Sequence, residues 1–352
     1  MIRVALIGYG YAGRTFHAPL IRATPGLELA VVSSSRRERV HADLPGLLVL
    51  PSPENACALP SVELVVVATP NDSHVPIATM ALGAGKHVVV EKPFAPTLDE
   101  ARALAVLARR TQRVLAVFQN RRWDGDFLAV TDLLARGVLG HVAHFESHFD
   151  RYRPIVQDRW RERAGAGSGL WCDLGPHLVD QALQLFGLPD RVTASLAAQR
   201  EGAQSDDWAH VILEYPRLRV ILHTSVLAAA RLPRFVVHGQ AGSWIKYGVD
   251  AQERQLVAAL APEDAGPARD GERGVLADGV SGAEHETPIP PGDYRQFYLQ
   301  LRDTLQGVGS NPVPPEQALP VIAVVEAAIR SSAEGRALRV PLTEKEILGF
   351  TR

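Results

Sequence analysis

The chain has 352 residues, 46% of them hydrophobic and 22% charged, with a formal net charge of -2. That length suggests roughly two domains and the balance is that of a globular protein, while the near-neutral charge offers no electrostatic footprint for nucleic acid or an anionic membrane. The two cysteines, Cys57 and Cys172, stand too far apart for a zinc motif or a redox pair, so neither a metal site nor a disulfide framework is expected.

The N-terminus enters a strand pattern at once, without a charged leader, and no apolar run reaches the roughly 18 to 20 residues that span a bilayer. A cytoplasmic protein without a membrane partner is expected. Ile2 to Ile7 reads as a strand that runs into Gly8-Tyr9-Gly10-Tyr11-Ala12-Gly13 and then a helix-compatible stretch from Arg14 to Ala23. Strand, G-x-G-x-x-G and helix in that order form a dinucleotide fingerprint. Gly8 allows the tight turn, Gly10 lets a pyrophosphate approach the backbone, and Gly13 lets helix and strand pack closely. The next strand, Leu27 to Val32, ends where such a fingerprint places a ribose-binding carboxylate, yet the chain reads Ser33-Ser34-Ser35-Arg36-Arg37. Hydroxyls and guanidinium groups attract a 2′-phosphate that a carboxylate would repel, so NADP is favoured over NAD, with Ser33, Ser34, Arg36 and Arg37 as its contacts.

Leu64 to Ala68 is a third buried strand, closing on Thr69-Pro70-Asn71, whose short polar groups suit a nicotinamide ribose or amide; His74 follows at the start of the helix Val75 to Ala84. Val88-Val89-Val90 then ends abruptly in Glu91-Lys92-Pro93, which delivers an amine to the mouth of the sheet. Glu91 is left open between pairing, cofactor contact and strand termination, and a cis bond before Pro93 is conceivable. A helix Leu98 to Arg110, capped by Thr97, leads to the strand Val114 to Phe118 and to Gln119-Asn120-Arg121-Arg122. Alternating strands and helices give a doubly wound parallel sheet of at least five strands, with all these strand ends at one edge.

From Trp123 the pattern changes. A helix from Trp123 to Arg136 and a strand from Val142 to Phe149 precede an aperiodic segment, Asp150 to Ser168, whose aromatics include Tyr152 and Trp160; a loop of that size suits a ligand lid. Leu170 to Phe186 is a helix that sets Asp173 and His177 one turn apart on one face, despite Pro176. A carboxylate so placed can orient an imidazole acid/base, although on the residues alone a dipole-complementing Asp173 and a packed His177 serve as well. Strands follow at Arg191 to Ala197, Trp208 to Tyr215, Leu218 to Leu227 and Arg234 to Gly239. Their short turns imply an antiparallel sheet. Asp250 to Pro291 reads as exposed connections, two helices follow at Tyr294 to Leu305 and Pro315 to Ala333, and Ala337 to Pro341 is a candidate to join the sheet.

With the glycine motif, Thr69-Pro70-Asn71 followed by His74, Ala84-Gly85-Lys86-His87-Val88 leading to Glu91-Lys92-Pro93, and Gly169-Leu170-Trp171-Cys172-Asp173-Leu174-Gly175-Pro176-His177 all in order, the whole chain resembles the Gfo/Idh/MocA family of NAD(P)-dependent oxidoreductases. Gln119 to Asp124 is similar to the subgroup of scyllo-inositol dehydrogenases. The resemblance implies an N-terminal Rossmann domain, residues 1–122, and a substrate and oligomerisation domain, 123–352, with a large, mostly antiparallel open sheet backed by helices. It also implies hydride transfer between NAD(P) and a secondary alcohol or ketone of a polyol, inositol or sugar. Lys92, Asp173 and His177 are then catalytic. Cofactor contacts run through residues 8–13, Ser33, Ser34, Arg36, Arg37, Thr69, Pro70, Asn71, His74, Glu91, Lys92, Gln119 and Asn120. Arg121, Arg122, Tyr152 and Trp160 face substrate, and a homodimer or homotetramer forms through the second sheet. A dinucleotide-binding sensor without turnover, or a reductase of a non-carbohydrate diol or carbonyl, are the alternatives on the same fold.

Overall fold

The computed structural model describes residues 1–165, 167–258 and 271–351, without the Trp160 side chain. The chain forms two units. The first comprises Met1–Trp123, a segment starting at Ala251, and Asp293–Leu319; the second comprises Asp124–Asp250, a segment ending at Gly292, and the chain from Pro320 on.

The first unit holds a six-stranded sheet of β1 (Ile2–Ile7), β2 (Leu27–Ser33), β3 (Leu48–Leu50), β4 (Leu64–Val67), β5 (His87–Val90) and β6 (Leu115–Val117), in the order β3-β2-β1-β4-β5-β6. Every pair is parallel. The central strands are buried on both faces, Val65, Val66 and Val67 as fully as Val88, Val89 and Val90, which is why they read as unbroken apolar runs and not as alternating ones. Strand order reverses between β1 and β4, so the crevice that binds ligands in such sheets lies outside their carboxyl ends. One strand more is present than the minimum expected: β3 is only three residues long, too short to stand out in sequence. No helix among the described residues is long and apolar enough to cross a membrane.

The second unit carries β7 (Val142–Asp150), β8 (Arg191–Ala197), β9 (Trp208–Glu214), β10 (Arg219–Ser225), β11 (Pro233–Gly239), β12 (Gly242–Tyr247), β13 (Gly274–Asp278) and β14 (Glu284–Thr287), ordered β14-β13-β12-β11-β7-β10-β9-β8. All neighbours are antiparallel except β7 and β10, which run parallel. Strict alternation decides the faces of β7. Phe145 and Phe149 enter a core with Trp171, Leu174 and Leu178 of the helix Leu170–Phe186, leaving His144, Glu146, His148 and Asp150 on the opposite face. The 250–291 stretch, expected as exposed connections, supplies β13 and β14; its glycines and acids masked the alternation that edge strands need only weakly. Leu338 forms a bridge with Val192, adding the candidate 337–341 segment to the sheet edge.

Candidate active site

In the first unit the glycine turn is dictated by close backbone approach. Gly8 has φ +96°, and a Cβ there would stand 2.5 Å from the Ala68 carbonyl oxygen; one on Gly13 would stand 2.1 Å from the Gly8 carbonyl oxygen. Gly10 differs, because nothing lies within 4 Å of the place its Cβ would occupy. That open space over exposed backbone, at the entry to a helical segment, is a cradle for a phosphate, and the residues fit a dinucleotide. The segment begins as a wide π turn over Gly13–His17 and continues as a helix over Ala18–Arg22. Tyr9 does not line the cradle with its ring: the side chain is buried, and burial together with Asp43 pushes its hydroxyl up to about 12. Tyr11 is exposed and donates to Glu253. At the end of β2, Ser33 is buried, Ser34 accepts from the Arg36 amide at 3.0 Å, and Arg36 and Arg37 are exposed at the start of the helix Arg37–Asp43.

The ends of β4 and β5 are fastened together. Ser73 donates to Thr69 Oγ1 and the Pro70 carbonyl, while buried His74 turns Nδ1 to the Pro93 carbonyl at 2.9 Å and Nε2 to the Thr69 carbonyl at 3.0 Å. Both ring nitrogens face backbone carbonyls, to one of which a neutral imidazole donates, so His74 packs between two strand-end loops and does not reach out to a cofactor, which corrects the expectation from sequence. Burial pulls its proton affinity below the usual histidine range. Thr69 and Asn71 remain partly accessible beside it.

Glu91 is buried. Its Oε1 faces His17 Nε2 at 3.1 Å, its Oε2 accepts the Lys92 amide at 2.8 Å, and His17 Nδ1 lies 2.6 Å from the Tyr298 hydroxyl. A carboxylate only accepts, so His17 Nε2 carries a proton and donates to Glu91. Burial alone would raise the Glu91 carboxyl, but the hydrogen bond and charge of His17, with Lys92 behind them, outweigh it and hold it below its usual range. Of the roles left open for Glu91, pairing is the one the geometry displays. His17 and Tyr298 were not singled out in the sequence, since 281 positions separate them and only folding brings them into contact. Lys92 follows, half-buried, joined to Pro93 by a cis bond.

At the end of β6, Gln119 and Asn120 are buried, and Gln119 Oε1 accepts no hydrogen bond among the described residues, a second polar atom suited to a ligand. Arg121 pairs with Glu253 at 2.6 Å. Arg122 is buried, with Nη1 donating to Gln317 and to the Pro312 carbonyl, so it anchors the returning 312–317 segment and does not present itself to substrate as expected.

In the second unit the helix Leu170–Phe186 is held at its start by Asp206. The Asp206 carbonyl accepts from the Leu170 amide at 2.8 Å and Oδ2 from the Trp171 amide at 2.7 Å. Gly169, at φ +95°, leaves room for that carboxyl, which a Cβ would meet at 2.0 Å; Gly175 leaves room for the Trp171 ring. The glycines of Gly169 to His177 thus seat a tryptophan and a cap. Burial, against the Trp171 hydrogen bond, raises the Asp206 carboxyl to about 6. Asp173 lies in the first turn with its Oδ1 3.4 Å from Arg161 Nε, and buried His177 lies one turn further on. Beneath the helix, buried Arg234 donates to Ser147 and to Gln181, stands 3.7 Å from Asp126, and is stacked between the Phe149 and Phe235 rings. Tyr152 is exposed, in a bridge with Leu227, and the Trp160 side chain lies outside the description.

Comparison with known proteins bears on the fold and the family. Residues 2–119 match the family model described as "Oxidoreductase family, NAD-binding Rossmann fold", and 131–342 match "Oxidoreductase family, C-terminal alpha/beta domain". The chain is 54% identical over 335 residues to the uncharacterized oxidoreductase YdgJ of Escherichia coli, covering 94% of this chain and 96% of that one. It is 38% identical over 342 residues to scyllo-inositol 2-dehydrogenase (NADP(+)) IolW of Bacillus subtilis, covering 96% and 95%. A crystal structure of a Klebsiella pneumoniae protein superposes with a TM-score of 0.94 at 52% identity, covering 99% and 98%. The chain belongs to the Gfo/Idh/MocA family and is an oxidoreductase with an NAD-binding Rossmann domain.

Proposed function

We propose that the protein transfers hydride between NADP and a secondary alcohol or matching ketone of an inositol, another polyol or a sugar. The observation that carries this reading is Lys92, an amine set at the carboxyl end of β5, on the sheet edge where the glycine cradle also opens. The scyllo-inositol dehydrogenase among the relatives, named for NADP, supports the substrate class and the cofactor. So do the exposed Arg36 and Arg37 where a carboxylate would mark NAD.

When bound, the nicotinamide supplies the hydride acceptor or donor. The rest falls to side chains of this chain. His177 takes the hydroxyl proton in oxidation and returns it in reduction, Asp173 orients it or touches substrate, and the Lys92 ammonium donates a hydrogen bond to the oxygen as charge develops. Glu91, fixed by His17 and by the Lys92 amide, holds the backbone from which that amine extends.

A panel of inositols, sugars and their keto counterparts, followed at the NAD(P)H absorbance with each cofactor, tests the reading. Lys92→Met and His177→Ala are each expected to lower kcat by about 10²- to 10⁴-fold, with NADPH affinity, read by fluorescence, unchanged. Near-wild-type turnover in either variant would refute the assignment. NADPH binding with no turnover across the panel would favour a sensor.

A further inference from the structure

The face of the second sheet turned away from its helical core is lined with imidazole and carboxylate. β7 places His144, Glu146, His148 and Asp150 there at every second position. In the parallel register, β10 sets His223 directly beside His148, and β9 sets His210 opposite His223. None of these residues has a part in the hydride-transfer reading.

From this cluster we infer a binding site for a divalent transition-metal ion of the Zn²⁺ type, formed by His148 Nδ1, His223 Nε2 and the carboxylate of Asp150. The donor atoms all lie within 4.8 Å of one another. His148 Nδ1 stands 3.3 Å from Asp150 Oδ2, and His223 Nε2 3.6 Å from Asp150 Oδ1. Two ligands held at about 2.0 to 2.1 Å from a tetrahedral ion are themselves about 3.3 Å apart, so donor atoms that lie within 4.8 Å of one another draw together by up to about 1.5 Å to close on a metal.

Three further observations converge. The Asp150 side chain is 8% exposed, and its Oδ1 accepts no hydrogen bond among the described residues although it points at an imidazole nitrogen. An acceptor in that state is costly unless a cation or a donor reaches it. The nitrogen of each histidine that faces away from the site is also occupied. His148 Nε2 is 2.8 Å from Glu146 Oε2, and His223 Nδ1 is 3.4 Å from His210 Nδ1. Metal-bound histidines hold their other nitrogen in this way, which fixes the tautomer and leaves the ligating lone pair free to point at the ion. Glu146 and Asp150, finally, bring two carboxylates to one partly buried patch whose intervening groups are imidazoles, and a divalent ion relieves that charge. Two imidazoles with one carboxylate suit Zn²⁺, Co²⁺, Ni²⁺ or Fe²⁺ over Ca²⁺ or Mg²⁺, and leave coordination positions for water.

The test uses the full chain without a histidine tag, stripped with EDTA and titrated with ZnCl₂ by calorimetry and with CoCl₂ by optical absorption. One Zn²⁺ per chain is expected, with affinity lowered at least about a hundredfold in Asp150→Asn and in His223→Gln. Glu146→Gln should keep the stoichiometry and lose about 10- to 100-fold, and His285→Gln, an exposed histidine on β14, should change nothing. Circular dichroism checks that each variant is folded. Should a variant not fold, Co²⁺ added to wild-type protein decides, since paramagnetic broadening of histidine ring resonances must centre on His148 and His223. Absence of stoichiometric binding, equal affinity in folded Asp150→Asn and His223→Gln, or broadening centred elsewhere overturns the site and leaves a hydrogen-bonded imidazole-carboxylate patch.

Discussion

The two units prepare their functional groups by different means. In the first, groups emerge from the carboxyl ends of parallel strands, and the turns that carry them are shaped by backbone: Gly8 and Gly13 exist because the Ala68 and Gly8 carbonyls would strike a Cβ, and His74 sits between two carbonyls. In the second, Asp173 and His177 stand on a single helix, and what positions that helix is side chains from other elements, Asp206 at its start and buried Arg234 beneath it, bonded to the helix's own Gln181. A site built on strand ends can be read from motif order, whereas a site built on a helix face depends on partners that the local sequence does not name.

Arg234 offers the severest test of this contrast. Arg234→Met would take the guanidinium from beside Asp126 and from between two phenyl rings, leaving a buried carboxylate without that counter-charge. A loss of about 3 to 5 kcal/mol is expected, seen as an earlier urea midpoint. A loss below 1 kcal/mol would show that the helix does not depend on this network.

Asp206 gives a smaller, pH-dependent effect. Its folded carboxyl is raised from the ordinary 3.8 to about 6, so the folded state holds that proton more tightly than the unfolded chain. The stabilisation is therefore complete below pH about 4 and lost as pH rises through about 6, an amount of roughly 2 kcal/mol after allowing for partial exposure. Asp206→Asn keeps an acceptor for the Trp171 amide and cannot ionise, so its stability should lack this fall between pH 4 and 6. An identical pH profile in wild type and variant would place the titration elsewhere.

The smallest effect belongs to the first unit. Arg36→Ala with Arg37→Ala should reduce the ratio of kcat/KM for NADP over NAD about tenfold, or ~1.4 kcal/mol, leaving thermal stability unchanged because both side chains are exposed. An unaltered ratio would remove these arginines from cofactor choice.

The first sheet was legible because its strands are buried on both faces and punctuated by glycine and proline, so β1, β4, β5 and β6 fall close to their expected spans. β3, β12, β13 and β14 were not: β3 is three residues long, β13 and β14 close the sheet at its edge where little burial is required, and the inward positions of β12 are Gly242, Trp244 and Lys246, which break the apolar alternation. Within the candidate site, Lys92 and His177 were marked by their motifs, but the contacts of their neighbours were not. His74 and Arg122 were expected to meet ligand and instead bond backbone carbonyls and Gln317, because a polar side chain at a strand end can serve either purpose and only the packing around it chooses.

By itself the sequence determined the class of each unit, the glycine cradle and the order of the strand-end motifs, all of which are set by local backbone demands and hydrophobic period. Only the tertiary structure decided that Glu91 is tied to His17 and Tyr298, that Asp206 caps the helix bearing His177, and that His148, Asp150 and His223 share one face. Those contacts join residues as far as 281 positions apart, and no local propensity encodes a pairing whose partners meet only when sheets and helices close around them.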